Sequence, residues 1–124
     1  MMIPFFIRHK EGLKRIDPSH VIRLESRGNY TNFVLTNNKI FTVRTTISAA
    51  MEKLREDIFI RINPATVVSV FYIDTIEKDH LTIGEKSFPI QKSYFESVVM
   101  HVNFFGPLPN GKSKRVKKKM LTCD

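Results

Sequence analysis

The chain has 124 residues, 42% of them hydrophobic, with ten Phe, three Tyr and no Trp. That is enough for one domain with a buried core, and the absence of any run of about 18 apolar residues excludes a helical membrane span. The net charge of +8 is uneven: between Asn110 and Asp124 six cations (Lys112, Lys114, Arg115, Lys117, Lys118 and Lys119) face one anion, Asp124, whereas the first 109 residues carry 14 cations and 11 anions, so the high pI is no argument for nucleic acid by itself.

Cys123 is the one cysteine, which excludes an intramolecular disulfide and a Cys/His zinc cluster and fits a reducing compartment. Residues 1–8 contain a short apolar run, but not the basic start, long apolar stretch and small-residue cleavage site of a signal peptide.

In chain order, residues 5–8 and 13–17 read as short strands about a Glu11-Gly12 turn, with Asp17-Pro18-Ser19 as a loop. Residues 21–26 alternate, which predicts Val21, Arg23 and Glu25 on one face and Ile22, Leu24 and Ser26 on the other. Arg27-Gly28-Asn29 punctuates that run. A strand over residues 30–35 follows, then an Asn37-Asn38 turn, because Asn tolerates positive φ, and a return strand over residues 40–44. Closely spaced strands of this kind predict an antiparallel sheet.

The period then changes. Ile47, Met51 and Leu54 fall at helical spacing behind Thr45 or Thr46, which predicts an amphipathic helix of about three turns. Residues 59–70 resume extended or irregular structure, with Asn63-Pro64 forbidding a helix there. Further strands are expected over residues 71–78, 80–83 and 87–90, with turns at Asp79 and Gly84-Glu85. Ser93-Tyr94-Phe95-Glu96 has the pattern of a capping box, and Phe95, Val98, Val99 and Val102 continue at helical spacing, so a C-terminal helix is expected over residues 93–101. After Asn103 a Pro/Gly-containing stretch breaks regular structure. The expected organisation is one domain over residues 1–103 and a linker with a flexible basic tail over residues 104–124.

Four segments resemble the LytTR family of bacterial DNA-binding domains (the LytR/AlgR type). Val21 to Tyr30 is similar to the family strand that ends in E-x-x-G-N-Y. Thr45 to Leu54 is similar to the family's mid-domain helix, Phe59 to Ser69 to F-x-R-x-H-R-S-x-x-V-N, and Phe88 to Tyr94 to I-P-V-S-R-x-Y. The chain departs from the pattern at three places: Asn63-Pro64-Ala65 stands for His-Arg-Ser, Val68-Ser69 for Val-Asn, and Gln91-Lys92 for Ser-Arg. The resemblance implies a mostly β fold, antiparallel sheets with one mid-chain helix and one C-terminal helix, that inserts loops into successive major grooves of double-stranded DNA. It implies a cytoplasmic regulator of transcription, the output domain of a response regulator, acting as a homodimer on repeated half-sites or with a partner regulator or sensor kinase. Such domains usually end a longer regulator, and nothing before Phe5 would sense a signal.

On this resemblance the candidate DNA contacts are Arg27, Asn29, Tyr30, Asn63 and Lys92. An Asn amide can bond adenine bidentately, and Arg27 can reach phosphate or a guanine edge. Lys92, where the family has Arg, keeps the charge but not the planar fork, and the helix start beside it can add amide donors. Ordinary readings stand beside these: Asn29 as a turn former, Asn63 as part of an Asn-Pro turn, Lys92 as a solvated lysine, and Arg61 paired with Glu56 or Asp57. The tail reads as a solubilising end, as a non-specific phosphate binder, or as a partner for an anionic membrane surface.

No cofactor or metal is expected. His9, His20, His80 and His101 lack metal-site spacing, Asp17-Pro18-Ser19-His20 reads as a turn, and no Gly-rich phosphate loop occurs, so catalysis is not expected. Two other functions compete with DNA regulation: an accessory module that dimerises with or blocks full-length regulators, and an RNA-binding β domain that stacks bases on Tyr30 and Tyr94.

Overall fold

A computed structural model describes residues 3–108. The basic tail and Cys123 lie outside the described residues. Ten strands and two helices are present among them. β1 (Phe5–His9) and β2 (Gly12–Ile16) form a two-stranded hairpin. β3 (Val21–Arg27), β4 (Tyr30–Leu35), β5 (Ile40–Val43), β6 (Phe59–Asn63) and β7 (Thr66–Ser69) form a five-stranded sheet in the order β5-β4-β3-β7-β6. β8 (Thr75–Ile76), β9 (His80–Ile83) and β10 (Lys86–Pro89) form a third sheet. Every pairing is antiparallel.

The five-stranded sheet is the middle layer. Val21, Leu24, Phe33, Phe59 and Val67 face a core closed by Ile7 and Ile16 of the hairpin and by Ile47 and Ala50 of α1 (Ile47–Met51). Ile60, Ile62 and Val68 face a second core closed by Leu81, Ile90 and Val98, the last from α2 (Lys92–Met100). With both faces covered, neighbouring residues of β6 and β7 are buried in opposite cores: Phe59 and Val67 in the first, Ile60 and Val68 in the second.

Five sequence expectations need correcting. Val21 and Leu24 share one core, because a bulge between Val21 and Arg23 inserts a residue and breaks strict alternation. Arg23 and Glu25 do share the other face, where they form an ion pair of 2.7 Å and the Arg23 guanidinium lies 5.0 Å from the Phe88 ring centre. The mid-chain helix spans five residues, not three turns: Thr46 caps it, and then Glu52, Lys53 and Leu54 donate to the carbonyls three residues back, which tightens the chain while keeping Leu54 on the core.

Residues 71–78 are mostly not strand. Val70–Tyr72 is a 3₁₀ turn in which Phe71 N donates to Ser69 Oγ, and Tyr72 Oη donates to the Ser19 carbonyl, which leaves Thr75–Ile76 to pair. Ser93 does not cap α2. Gln91 does so without a side-chain bond; its backbone N–H donates to the Ile62 carbonyl at 2.9 Å and its own carbonyl accepts from Tyr94 N. Finally, Arg61 pairs with neither Glu56 nor Asp57. Asp57 is held by Arg55, and Arg61 donates to Ser48 Oγ at 3.2 Å and to the Pro64 carbonyl at 2.6 Å.

Leu24 is fully buried, so Leu24→Ala is expected to cost about 2–5 kcal/mol of stability in denaturant unfolding. A milder dependence on acid follows from the exposed aspartates. The Ser19 amide and hydroxyl hold the Asp17 carboxyl below its ordinary range, Arg55 does the same for Asp57 and His80 for Asp79. Depressed carboxyls contribute stability that is fully present above about pH 4 and lost as pH falls through their lowered values. Thermal melts in acid should therefore show a falling limb, and Asp17→Asn should flatten part of it.

Candidate nucleic-acid interface

The antiparallel register places several turns at one end of the five-stranded sheet. β3 runs out at Arg27 and β4 returns at Tyr30, so Gly28-Asn29 is a two-residue hairpin turn. β6 and β7 are joined by Pro64-Ala65 between paired Asn63 and Thr66. Because β3 and β7 are antiparallel neighbours, with Glu25 opposite Thr66, the two turns lie side by side. β10 also ends here, and α2 starts at Lys92.

Three hydrogen bonds chain these segments together. Ser26 N donates to the Ala65 carbonyl at 2.9 Å, which ties the base of the first turn to the second. Asn63 Nδ2 donates to the Pro89 carbonyl at 2.8 Å, and Gln91 N donates to the Ile62 carbonyl at 2.9 Å, which tie the second turn to the start of α2. The four stretches Arg27 to Tyr30, Arg44 to Thr46, Asn63 to Ala65 and Pro89 to Lys92 contain three cations and no carboxylate.

Each candidate residue then has a definite place. Arg27, Asn29, Tyr30 and Lys92 are exposed, with Tyr30 at 44%. Gly28 takes the positive φ of the turn, +66°, and Asn29 does not, so the backbone makes no demand for Asn at position 29. No hydrogen bond holds the Asn29 side chain among the described residues, which weakens its reading as a turn former. Lys92, at the first position of α2, forms no ion pair there either.

Asn63 differs. Its Nδ2 holds Pro89, and its Oδ1 accepts from Ala65 N at 3.0 Å, so both ends of the amide already work inside the protein. The three hydrogen bonds bring Asn63 beside Lys92, while the hairpin carries Arg27, Asn29 and Tyr30 as a separate tip next to them. Arg61 supports the second turn from below. Its guanidinium spans from Ser48 of α1 to the Pro64 carbonyl, with a buried Nε that has no partner among the described residues.

One exposed cation at this end escaped the reading of the sequence. Arg44, expected as the last residue of the return strand over residues 40–44, instead follows β5 in the connection to α1. Only the register, with Thr31 opposite Val43, shows that it stands level with the first turn.

These features define a mostly β domain that holds polar and cationic turn tips rigidly at one end of a buried sheet, an arrangement suited to a polyanion. The model of the LytTr DNA-binding domain matches residues 11–103, and the chain belongs to that bacterial family, whose function is DNA binding in transcription regulation. Among solved structures, a LytTr DNA-binding domain from Bacillus cereus superposes with a TM-score of 0.68 at 20% identity, covering 82% of this chain and 97% of that one. That likeness bears out the mostly β architecture with its two helices. No curated protein matches by sequence. Among the described residues no helix is long and apolar enough to cross a membrane, and no group of three or more metal-binding side chains is assembled.

Asn63→Ala would leave the Pro89 carbonyl and the Ala65 amide without their partners. It should cost about 1–3 kcal/mol of stability in chemical unfolding, and it should raise backbone hydrogen exchange at Ala65 before exchange in the sheet.

Proposed function

We propose that this domain binds double-stranded DNA sequence-specifically, with the β3–β4 turn and the start of α2 entering the major groove at separate positions. Asn29 is the main base reader, because its amide is exposed, uncommitted and of the right geometry for an adenine edge. Lys92 meets a phosphate or a guanine acceptor beside the first amides of α2. Arg27 and Tyr30 flank Asn29, the first as a cation for the backbone or a guanine and the second as an aromatic wall. Asn63 serves by holding the second turn against the helix start, and makes at most a secondary contact. The observation that carries this reading is the chain of three hydrogen bonds that joins the turns, because rigid spacing between tips is what lets one protein surface match one duplex. Binding as a homodimer on repeated half-sites, or beside a partner regulator, and work in the cytoplasm where bacterial DNA lies, follow from the same reading.

One observation favours the accessory alternative, in which the domain pairs with a full-length regulator. Asn63 is internally committed and Pro64 offers no donor, so the second turn has lost much of the polarity that the family pattern puts there. An unbiased selection of bound duplexes, repeated without residues 110–124, separates the readings. A recovered motif that survives the truncation supports base reading by the body of the domain. Binding that vanishes with the tail, together with co-purification of another regulator, supports the alternative.

Lys92→Ala is expected to weaken binding to a selected duplex and to make the salt dependence shallower by about one unit of slope if Lys92 meets one phosphate. Anisotropy titrations across a salt series check this, and unchanged affinity would remove Lys92 from the interface.

A further inference from the structure

The connection between β5 and α1 is bonded more tightly than its length suggests. Thr45 N donates to the Val43 carbonyl at 2.9 Å, two residues back, which puts Arg44 at the centre of a γ-turn. The fully buried Thr31 donates its Oγ1 to the Thr45 carbonyl at 2.7 Å, pinning that turn to β4. Thr46 Oγ1 accepts from Ala49 N at 3.1 Å and fixes the far side as the cap of α1. The backbone on either side of Arg44 is therefore held in place, while its own side chain is exposed and forms no ion pair or hydrogen bond among the described residues.

The register says what this fixed cation stands beside. Arg27 pairs with Tyr30, and Thr31 pairs with Val43, so one step further along the sheet brings Arg44 level with Tyr30. A row of cation, aromatic and cation thus crosses three neighbouring strands at the end of the sheet. With neighbouring strands about 4.8 Å apart, the Arg27 and Arg44 backbones are roughly 10 Å apart, comparable to the width of about 12 Å of a B-DNA major groove. A tip that enters the groove at Gly28-Asn29 would leave these two guanidiniums close to the phosphates that line it.

We infer that Arg44 is a phosphate-binding residue of this domain: its guanidinium grips the DNA backbone beside the β3–β4 turn, adding affinity and fixing the approach of Asn29 without reading sequence. The inference rests on the DNA-binding reading above and assigns a contact which that reading does not contain. An exposed guanidinium has a free fork for two phosphate oxygens, which lysine cannot reproduce. A contact to phosphate carries no sequence information, so its loss must weaken all duplexes alike.

The test compares the full chain with its Arg44→Ala and Arg44→Lys variants by fluorescence anisotropy on one selected duplex and two unrelated ones, from about 50 to 200 mM salt. Thermal melts confirm that the variants fold. For Arg44→Ala the expected result is about tenfold weaker binding to every duplex at low salt, with a slope shallower by about 0.9. Arg44→Lys should keep the slope of the parent with intermediate affinity. Parent-like affinity and slope for Arg44→Ala would overturn the assignment and leave the DNA-binding reading standing. A loss confined to the selected duplex would also overturn it, because Arg44 would then read a base. Absence of any duplex binding by the parent chain at low salt would remove the DNA-binding reading and Arg44 with it.

Discussion

The arrangement of the turns at the candidate interface depends on the bond from the Gln91 backbone amide to the Ile62 carbonyl. It takes the amide just before α2 and locks it to the end of β6, so the position of the helix start is set by the sheet rather than by a capping side chain. Asn63, one residue along β6, adds a second tie from its side chain to Pro89. Together they make the start of α2 an extension of the β6–β7 turn. Ser26 N to the Ala65 carbonyl then joins that unit to the hairpin that carries Asn29. Without these ties the tips would be separate surface loops, and each would have to be ordered at the expense of binding energy.

The sheet can act as a frame because it is buried on both faces. Phe59 and Val67 point into one core, and Ile60, Ile62 and Val68 into the other. Bending the β6–β7 end would open both cores at once. The hairpin β1–β2 and α1 cover one side, and α2 with the three-stranded sheet covers the other, and the end of β10 and the start of α2 are bonded into the turn-bearing end itself. Arg61 shows the same economy of placement: one guanidinium joins α1 to the Pro64 carbonyl under the second turn. A side chain that the family pattern sets among DNA motifs is, in this chain, part of the support.

Much of the fold was legible in the sequence because it is written in local terms. The turns at Gly28-Asn29, Asn37-Asn38 and Gly84-Glu85 stand where residues tolerant of positive φ occur, and Gly28, Asn37, Asn38 and Gly84 do adopt it. The features that escaped depend on distant partners. The bulge at Val21 and Arg23 follows from pairing with β4, the short α1 from packing of Leu54, and the cap of α2 from a strand about thirty residues earlier. The candidate contacts divide in the same way. Asn29 and Lys92 were visible through the resemblance of their segments to the family pattern, whereas the commitment of Asn63 and the placement of Arg44 exist only once strands are in register.

The altered second motif bears on how recognition would be divided between the tips. Affinity and discrimination come from different contacts: cations on phosphates supply the first, and side chains with paired donors and acceptors at base edges supply the second. With Pro64 lacking a donor and the Asn63 amide engaged on both ends, the second turn keeps little with which to read an edge, and Lys92 beside it is a point charge without a fork. On the proposed reading, discrimination therefore concentrates at the β3–β4 turn, where Asn29 is unencumbered. The β6–β7 turn and the start of α2 act mainly to hold the duplex in position. A domain built this way depends on orientation more than one with two strong readers, because a single reading tip gains specificity only if the protein approaches the groove at one angle. That requirement gives physical sense to so many internal bonds at one end of the sheet.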